Sequence, residues 1–155
     1  MSLHVEVSGS GPDLALIHGW GMHGGIWGSV RAELGRDYRV HALDLPGYGS
    51  SATCQPYDLS SLAREAAEVL PSGINVIGWS LGGLVAQRWA LDRPQQVRRL
   101  LLVGTSPCFV QRSDWASGID PVILQTFAYD LDQDYAGTLL RFAGAFGRGK
   151  PGELV

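Results

Sequence analysis

Apolar and polar positions along the chain fall into short segments of two periods. Residues 3–8 alternate, with Leu3, Val5 and Val7 on one face, which predicts a strand. Gly9, Gly11 and Pro12 predict the turn after it. Residues 14–17, Leu-Ala-Leu-Ile, are continuously apolar and suit a strand buried on both faces. A glycine-rich loop follows, and the spacing then predicts a helix over 26–34 with Ile26, Trp27, Val30 and Leu34 on one side. The next strand is expected at 38–43, closed by the turn signal Asp44-Leu45-Pro46-Gly47. Asp58 is placed to cap a helix over 59–70, whose apolar positions Leu59, Leu62, Ala66 and Val69 keep helical spacing until Pro71. A strand over 74–78, a helix reaching Asp92 before Pro94, and a strand over 99–103 complete this stretch.

Strands alternating with helices predict a mostly parallel sheet covered by helices on both faces, an α/β fold. After residue 105 the rhythm changes. Asp120-Pro121 reads as an N-cap followed by a first-turn proline. One helix is expected to carry Leu124, Phe127 and Leu131 on a face. A second, starting near Asp132, is expected to carry Tyr135, Leu139, Phe142 and Phe146. Two helices with no strand between them predict a partial helical cap. The expected division is a core at 1–108 and a cap at 109–155, with 147–155 as loop.

Composition narrows the function. The net charge of −3 gives no electrostatic reason to expect nucleic acid or an anionic membrane as partner. Arg98-Arg99 opens an apolar run and reads as a solvated edge. The N-terminus lacks the basic start and apolar stretch of a signal peptide, and no run approaches the ~18–20 apolar residues that span a bilayer. A cytoplasmic protein is therefore expected. Cys54 and Cys108 have no metal-type spacing and read as reduced, packing thiols. No metal is expected.

The chemistry points to Gly78-Trp79-Ser80-Leu81-Gly82, a G-x-S-x-G pattern between an apolar strand and an amphipathic helix. A serine on a sharp strand-to-helix turn projects its hydroxyl above the sheet. That turn brings strand and helix so close that side chains two positions away would clash, which Gly78 and Gly82 avoid, with Gly83 adding room. The helix N-terminus favours negative charge developing on a substrate. Two further motifs sit where buried strands end: HGWGMHGG at 18–25 and DLPGYGSS at 44–51. The backbone N–H groups of Trp20 and Leu81 are the candidate oxyanion donors, and losing one such donor typically costs on the order of 10²–10³ in rate. The Trp20 side chain is a candidate wall of the acyl pocket.

These three motifs, in this order, resemble the α/β-hydrolase superfamily over residues 1–105. More narrowly, HGWGMHGGIW, GWSLGGLVAQ and TSPCF…DW resemble the carboxylesterases that cleave a methyl ester from a carrier-bound pimeloyl group in biotin synthesis, a likeness continuing to about residue 146. The resemblance implies a cofactor-free serine ester hydrolase acting on a small acyl ester, with an acyl-carrier protein as a further partner. It puts Arg141 where that family's cap faces the carrier, against the plainer reading of an exposed helix arginine. Phe142 either lines the acyl channel or packs the cap.

A serine needs a base to take its proton, and in this fold the partners follow it in the order Ser, Asp or Glu, His. His4, His18, His23 and His41 all precede Ser80. Of these, His18 is expected to orient its loop and His23 is a poor candidate base. Asp114, Asp120, Asp130, Asp132, Asp134 and Glu153 follow the serine, but on cap or tail segments. The resemblance places acid and base beyond residue 155. A truncated chain, with later strands absent, one sheet edge exposed and little activity by itself, is the expectation.

Two rival readings stand beside this one. Gly19-x-Gly21-x-x-Gly24 with Asp44 some 20 residues on also fits a dinucleotide-binding fingerprint. Against it, Trp20 is bulky where backbone must approach pyrophosphate, and the serine motif is left unexplained. The other rival is a pseudo-hydrolase that binds an acyl ligand or carrier without turnover, which the missing late histidine supports. Gly144-x-x-x-x-Gly149-Lys150 imitates a phosphate loop, but Pro151 replaces the magnesium-binding hydroxyl and the segment follows a helix.

Overall fold

A computed structural model describes residues 3–146. The expected loop at 147–155, with Gly149, Lys150, Pro151 and Glu153, lies outside the described residues. The chain divides into two compact units, one through Pro107 and one from Cys108 onward.

In the first unit five strands form one sheet: β1 Val5–Ser8, β2 Asp13–Ile17, β3 Arg39–Leu43, β4 Ile74–Trp79 and β5 Val97–Val103. Their order is β1-β3-β2-β4-β5. β1 runs antiparallel to β3, and every other pairing is parallel. Three helices connect them: α1 Gly28–Leu34, preceded by a 3-10 turn at Gly24–Trp27, α2 Leu59–Val69 and α3 Leu81–Asp92.

The continuous apolar run of β2 divides its side chains between two layers. Ala15 and Ile17 join Leu62, Ala66, Val85, Ala86 and the fully buried Trp89 of α2 and α3, while Leu14 and Leu16 join Val40 on the α1 side. Small residues such as Ala63, Ala66 and Ala86 let α2 and α3 sit close to the sheet. Asp58 caps α2 as expected, accepting from Ser61 N at 2.8 Å. Cys54 is buried and its thiol pKa is pushed up by burial, which fits packing.

The stripe expected on α1 is only half realised. Trp27 and Leu34 pack on the sheet, but Ile26 is 39% exposed and Val30 43%. The segment opens as a 3-10 turn, whose three-residue period shifts the phase of the positions before the α-helix begins.

In the second unit, Asp120 caps α4 (Pro121–Gln133), accepting from Val122 N at 2.8 Å. α5 (Tyr135–Phe146) begins later than expected. Asp134, not Asp132, precedes it and accepts from Gly137 N at 2.9 Å. Leu124, Phe127, Leu131, Leu139 and Phe142 form the half-buried stripes. Tyr135, expected among them, sits ahead of the stripe at the helix start and is 60% exposed. No helix among the described residues is long and apolar enough to cross a membrane.

β5 is an exception to burial. Although it reads Leu-Leu-Leu-Val, those residues are exposed, Leu101 at 56%. Beside it lies a groove of about 390 Å³ lined by Leu14, Leu34, Tyr38, Ile77 and Leu100, among others. A flat apolar edge strand templates pairing with other chains. Leu101→Lys is expected to lower light scattering of the concentrated chain while leaving its thermal midpoint within a degree or two, because no core contact is lost. Unchanged scattering would remove β5 as the sticky surface.

Candidate active site

β4 ends at Trp79 and α3 begins at Leu81, so Ser80 alone makes the turn between them. Its backbone sits at φ 53°, ψ −115°, and it is the only non-glycine residue with positive φ among the described residues. Such a conformation costs of the order of 1–3 kcal/mol and persists only where its surroundings over-determine it. Here Ser80 N donates to Val103 O at 2.9 Å, and Ser80 O accepts from Gly83 N at 2.9 Å and Leu84 N at 3.3 Å. A serine at this helix position ordinarily spends its hydroxyl on a first-turn amide. Ser80 makes no such bond and is half-exposed.

The glycines around it are needed for close approach. A Cβ on Gly78 would lie 2.7 Å from Gly83 Cα, and one on Gly82 would run into the carbonyl oxygens of Ile17 and His18. The end of β2 is thereby pressed against the first turn of α3. Gly19 lies against the serine itself: a Cβ there would be 3.3 Å from Ser80 Cβ and 3.1 Å from the Trp79 ring. Gly19 and the start of α3 thus flank Ser80. Leu81 is the first residue of α3, so its N–H is one of the amides with no acceptor inside the helix.

Two buried side chains tie the 18–25 loop to the 44–51 loop. His18 Nε2 accepts from Leu45 N at 3.0 Å, and Nδ1 lies 2.8 Å from Gly19 O. Those partners require the neutral ring with its proton on Nδ1. Burial pushes the His18 pKa down, against the raising influence of the Gly19 carbonyl and of Asp44. Asp44 Oδ1 accepts from Gly24 N at 2.6 Å and Oδ2 from Ser50 N at 2.9 Å. Burial draws the Asp44 carboxyl upward, but the Ser50 and Gly24 amides outweigh it and hold its pKa below the usual range.

This arrangement corrects the dinucleotide reading. Asp44, offered there as the ribose-binding acid, is buried with both carboxylate oxygens taken. The anion held by the amide of Gly24 is this chain's own carboxylate, and Gly19 serves the approach to Ser80.

The other histidines also have partners. His41 Nε2 lies 2.6 Å from Asp13 Oδ1, His23 Nδ1 accepts from Gly25 N at 3.2 Å, and His4 Nε2 is 3.7 Å from Glu6 Oε1. Of the acids after Ser80, Asp114 pairs with Arg112 and Asp120 and Asp134 cap helices in the second unit. Arg141 donates to Thr138 Oγ1 at 2.7 Å and lies 3.6 Å from Asp134 Oδ2. Phe142 packs on Phe127, ring centroids 5.6 Å apart. One contact at the elbow has no motif behind it: Thr105 Oγ1 donates to Ser80 O at 2.8 Å from beyond the end of β5.

This geometry is shared with known hydrolases. Residues 14–152 match the alpha/beta hydrolase family. A protein of Nitrosomonas europaea named pimeloyl-(acyl-carrier protein) methyl ester esterase is 45% identical over 141 residues, covering 91% of this chain and 56% of its own length. One of the same name from Aeromonas hydrophila is 46% identical over 144 residues, covering 92% and 56%. The chain therefore spans little more than half the length of the curated relatives it matches. Among solved structures, an esterase from Exiguobacterium antarcticum superposes with a TM-score of 0.89 at 27% identity, over 96% of this chain and 59% of that one. A hydrolase from Pseudomonas aeruginosa gives 0.78 at 28%, over 97% and 59%.

The two buried groups set the acid sensitivity of the loops. A histidine with a depressed folded pKa loses stability as pH falls below its unfolded value of about 6.5, because the unfolded chain takes up the proton first. The depressed Asp44 contributes stability that is present above about pH 3.9 and is lost as pH falls through its lower folded value. In urea melts across pH 7 to 2, Asp44→Asn is expected to flatten the decline below about pH 4 and to leave the decline between about 6.5 and 4 in place. An acid limb as steep as in the wild type would show that Asp44 carries none of it.

Proposed function

The chain belongs to the alpha/beta hydrolase family, and we propose that it supplies the nucleophile and oxyanion donors of a serine carboxylester hydrolase. Ser80 Oγ attacks the ester carbonyl carbon and its proton passes to a base. The carbonyl oxygen becomes an oxyanion received by the amides of Trp20 and Leu81. The tetrahedral species then expels the alcohol, leaving an acyl-serine for water to hydrolyse. The carrying observation is Ser80 itself. It has a strained backbone at the head of α3, and its hydroxyl is not spent on capping that helix.

For the substrate we infer an acyl ester on a carrier protein with methanol as the alcohol released. The relatives' names support this, and the half-buried Trp20, next in the chain to the Gly19 that lies against Ser80, is proposed as a wall of the acyl site. We infer that Arg141 faces the carrier: its side chain is 62% exposed, and its partners Thr138 and Asp134 are on its own helix and just before it. The contact with Phe127 supports a packing role for Phe142.

The engaged histidines favour low turnover by this polypeptide alone, since each imidazole already has a partner in its own locality. They also favour a second reading in which the site binds an acyl ligand without cleaving it. Long incubation with a fluorophosphonate is expected to add one adduct to the wild type and none to Ser80→Ala, read by intact mass. Hydrolysis of p-nitrophenyl butyrate is expected at no more than the residual ~10³–10⁴ over water that oxyanion and binding contacts sustain. No adduct would favour the binding reading, and turnover near the ~10 s⁻¹ typical of enzymes would show that a base is already in place.

A further inference from the structure

The two proposed oxyanion donors share a way of being aimed. A trans peptide is planar, so its C=O and N–H point in opposite directions. The one cis peptide bond among the described residues is Gln55-Pro56. Fixing the carbonyl of Gly19 therefore fixes the N–H of Trp20, and fixing the carbonyl of Ser80 fixes the N–H of Leu81. Gly19 O is held by His18 Nδ1 at 2.8 Å and by Met22 N at 3.3 Å. Ser80 O is held by Gly83 N, by Leu84 N and, from outside the helix, by Thr105 Oγ1 at 2.8 Å.

The external bond matters because ψ of Ser80 is −115°, far from the helical range, so helical dihedrals do not set this peptide plane. We propose that Thr105 is a positioning residue of the oxyanion site, whose hydroxyl orients the Ser80–Leu81 peptide and polarises its N–H toward the substrate. The inference rests on Leu81 being an oxyanion donor. Donation to a carbonyl strengthens the N–H of the same peptide as a donor, by ~10–30% per bond. The sequence accommodates the contact. A Cβ on Gly83 would run into the Thr105 methyl and hydroxyl, so glycine there lets the threonine reach Ser80 O. One branch of Thr105 thus bonds the elbow while the other fills the space above Gly83.

Thr105→Val keeps the methyl and removes the hydroxyl, and Thr105→Ser does the reverse. In isotope-labelled full chain, Thr105→Val is expected to move the Ser80 carbonyl carbon and Leu81 amide nitrogen resonances upfield, and Thr105→Ser to leave them near wild type. Fluorophosphonate labelling of Ser80 is expected to slow about tenfold in Thr105→Val, less than the ~10²–10³ seen when a donor is removed outright, and to recover in Thr105→Ser. Thr105→Ala supplies the same readouts if valine disturbs folding. Unmoved Leu81 and Ser80 resonances in a folded hydroxyl-free variant overturn the proposal, as does a labelling rate that falls equally in valine and serine variants. If the wild type takes no label at Ser80, the nucleophile reading fails by itself, and the resonances still decide whether Thr105 sets this peptide.

Discussion

At the β4–α3 junction a serine is held at φ 53°, a conformation that by itself is unfavourable by about 1–3 kcal/mol. What holds it there is close approach. Gly78 and Gly82 leave no side-chain volume at the junction, so β2, β4 and α3 meet at backbone distance, and Gly83 leaves the room that the Thr105 side chain fills from beyond the end of β5. The same contacts that enforce the strain put the Gly19 loop against the serine. Strain and site therefore have one cause, the exclusion of Cβ atoms from a small region above the sheet.

Around that junction the protein uses its own groups as ligands for its loops. Asp44 occupies the amide of Gly24, the place where a glycine-rich turn in another fold would take a phosphate. Neutral His18 bridges Leu45 N and Gly19 O, coupling the position of the 18–25 loop to the 44–51 loop. Burial makes both ties strong, since a buried acceptor left unmatched is expensive. The amides of Gly24, Leu45 and Ser50 are thereby taken by the chain's own side chains.

β5 has two roles that pull on its sequence in different directions. Its end supports the elbow, through Val103 O on Ser80 N and through Thr105 just beyond it. Its length carries Leu100, Leu101, Leu102 and Val103 exposed. The apolar run is legible as a strand that suits burial, but exposure depends on what lies alongside, which no local pattern encodes.

Read in isolation, the chain already specified its alternation of strands and helices, the caps Asp58 and Asp120, and Ser80 between two glycines. Each of these is decided by neighbours within a few residues, through periodicity, capping or steric exclusion. The α/β-hydrolase fold was implied by the resemblance that three motifs in order bear to that superfamily, and each motif is legible because it is a local turn. Tertiary structure alone decided the rest. It turned Asp44 from a candidate ribose ligand into a loop clamp and gave each histidine ring a partner. It also shifted the face of α1, left Tyr135 outside its stripe, and brought Thr105 to the carbonyl of a residue 25 positions earlier. Those outcomes depend on which strands become neighbours and how closely they pack, and hydrogen-bond partners so distant in sequence leave no spacing to read.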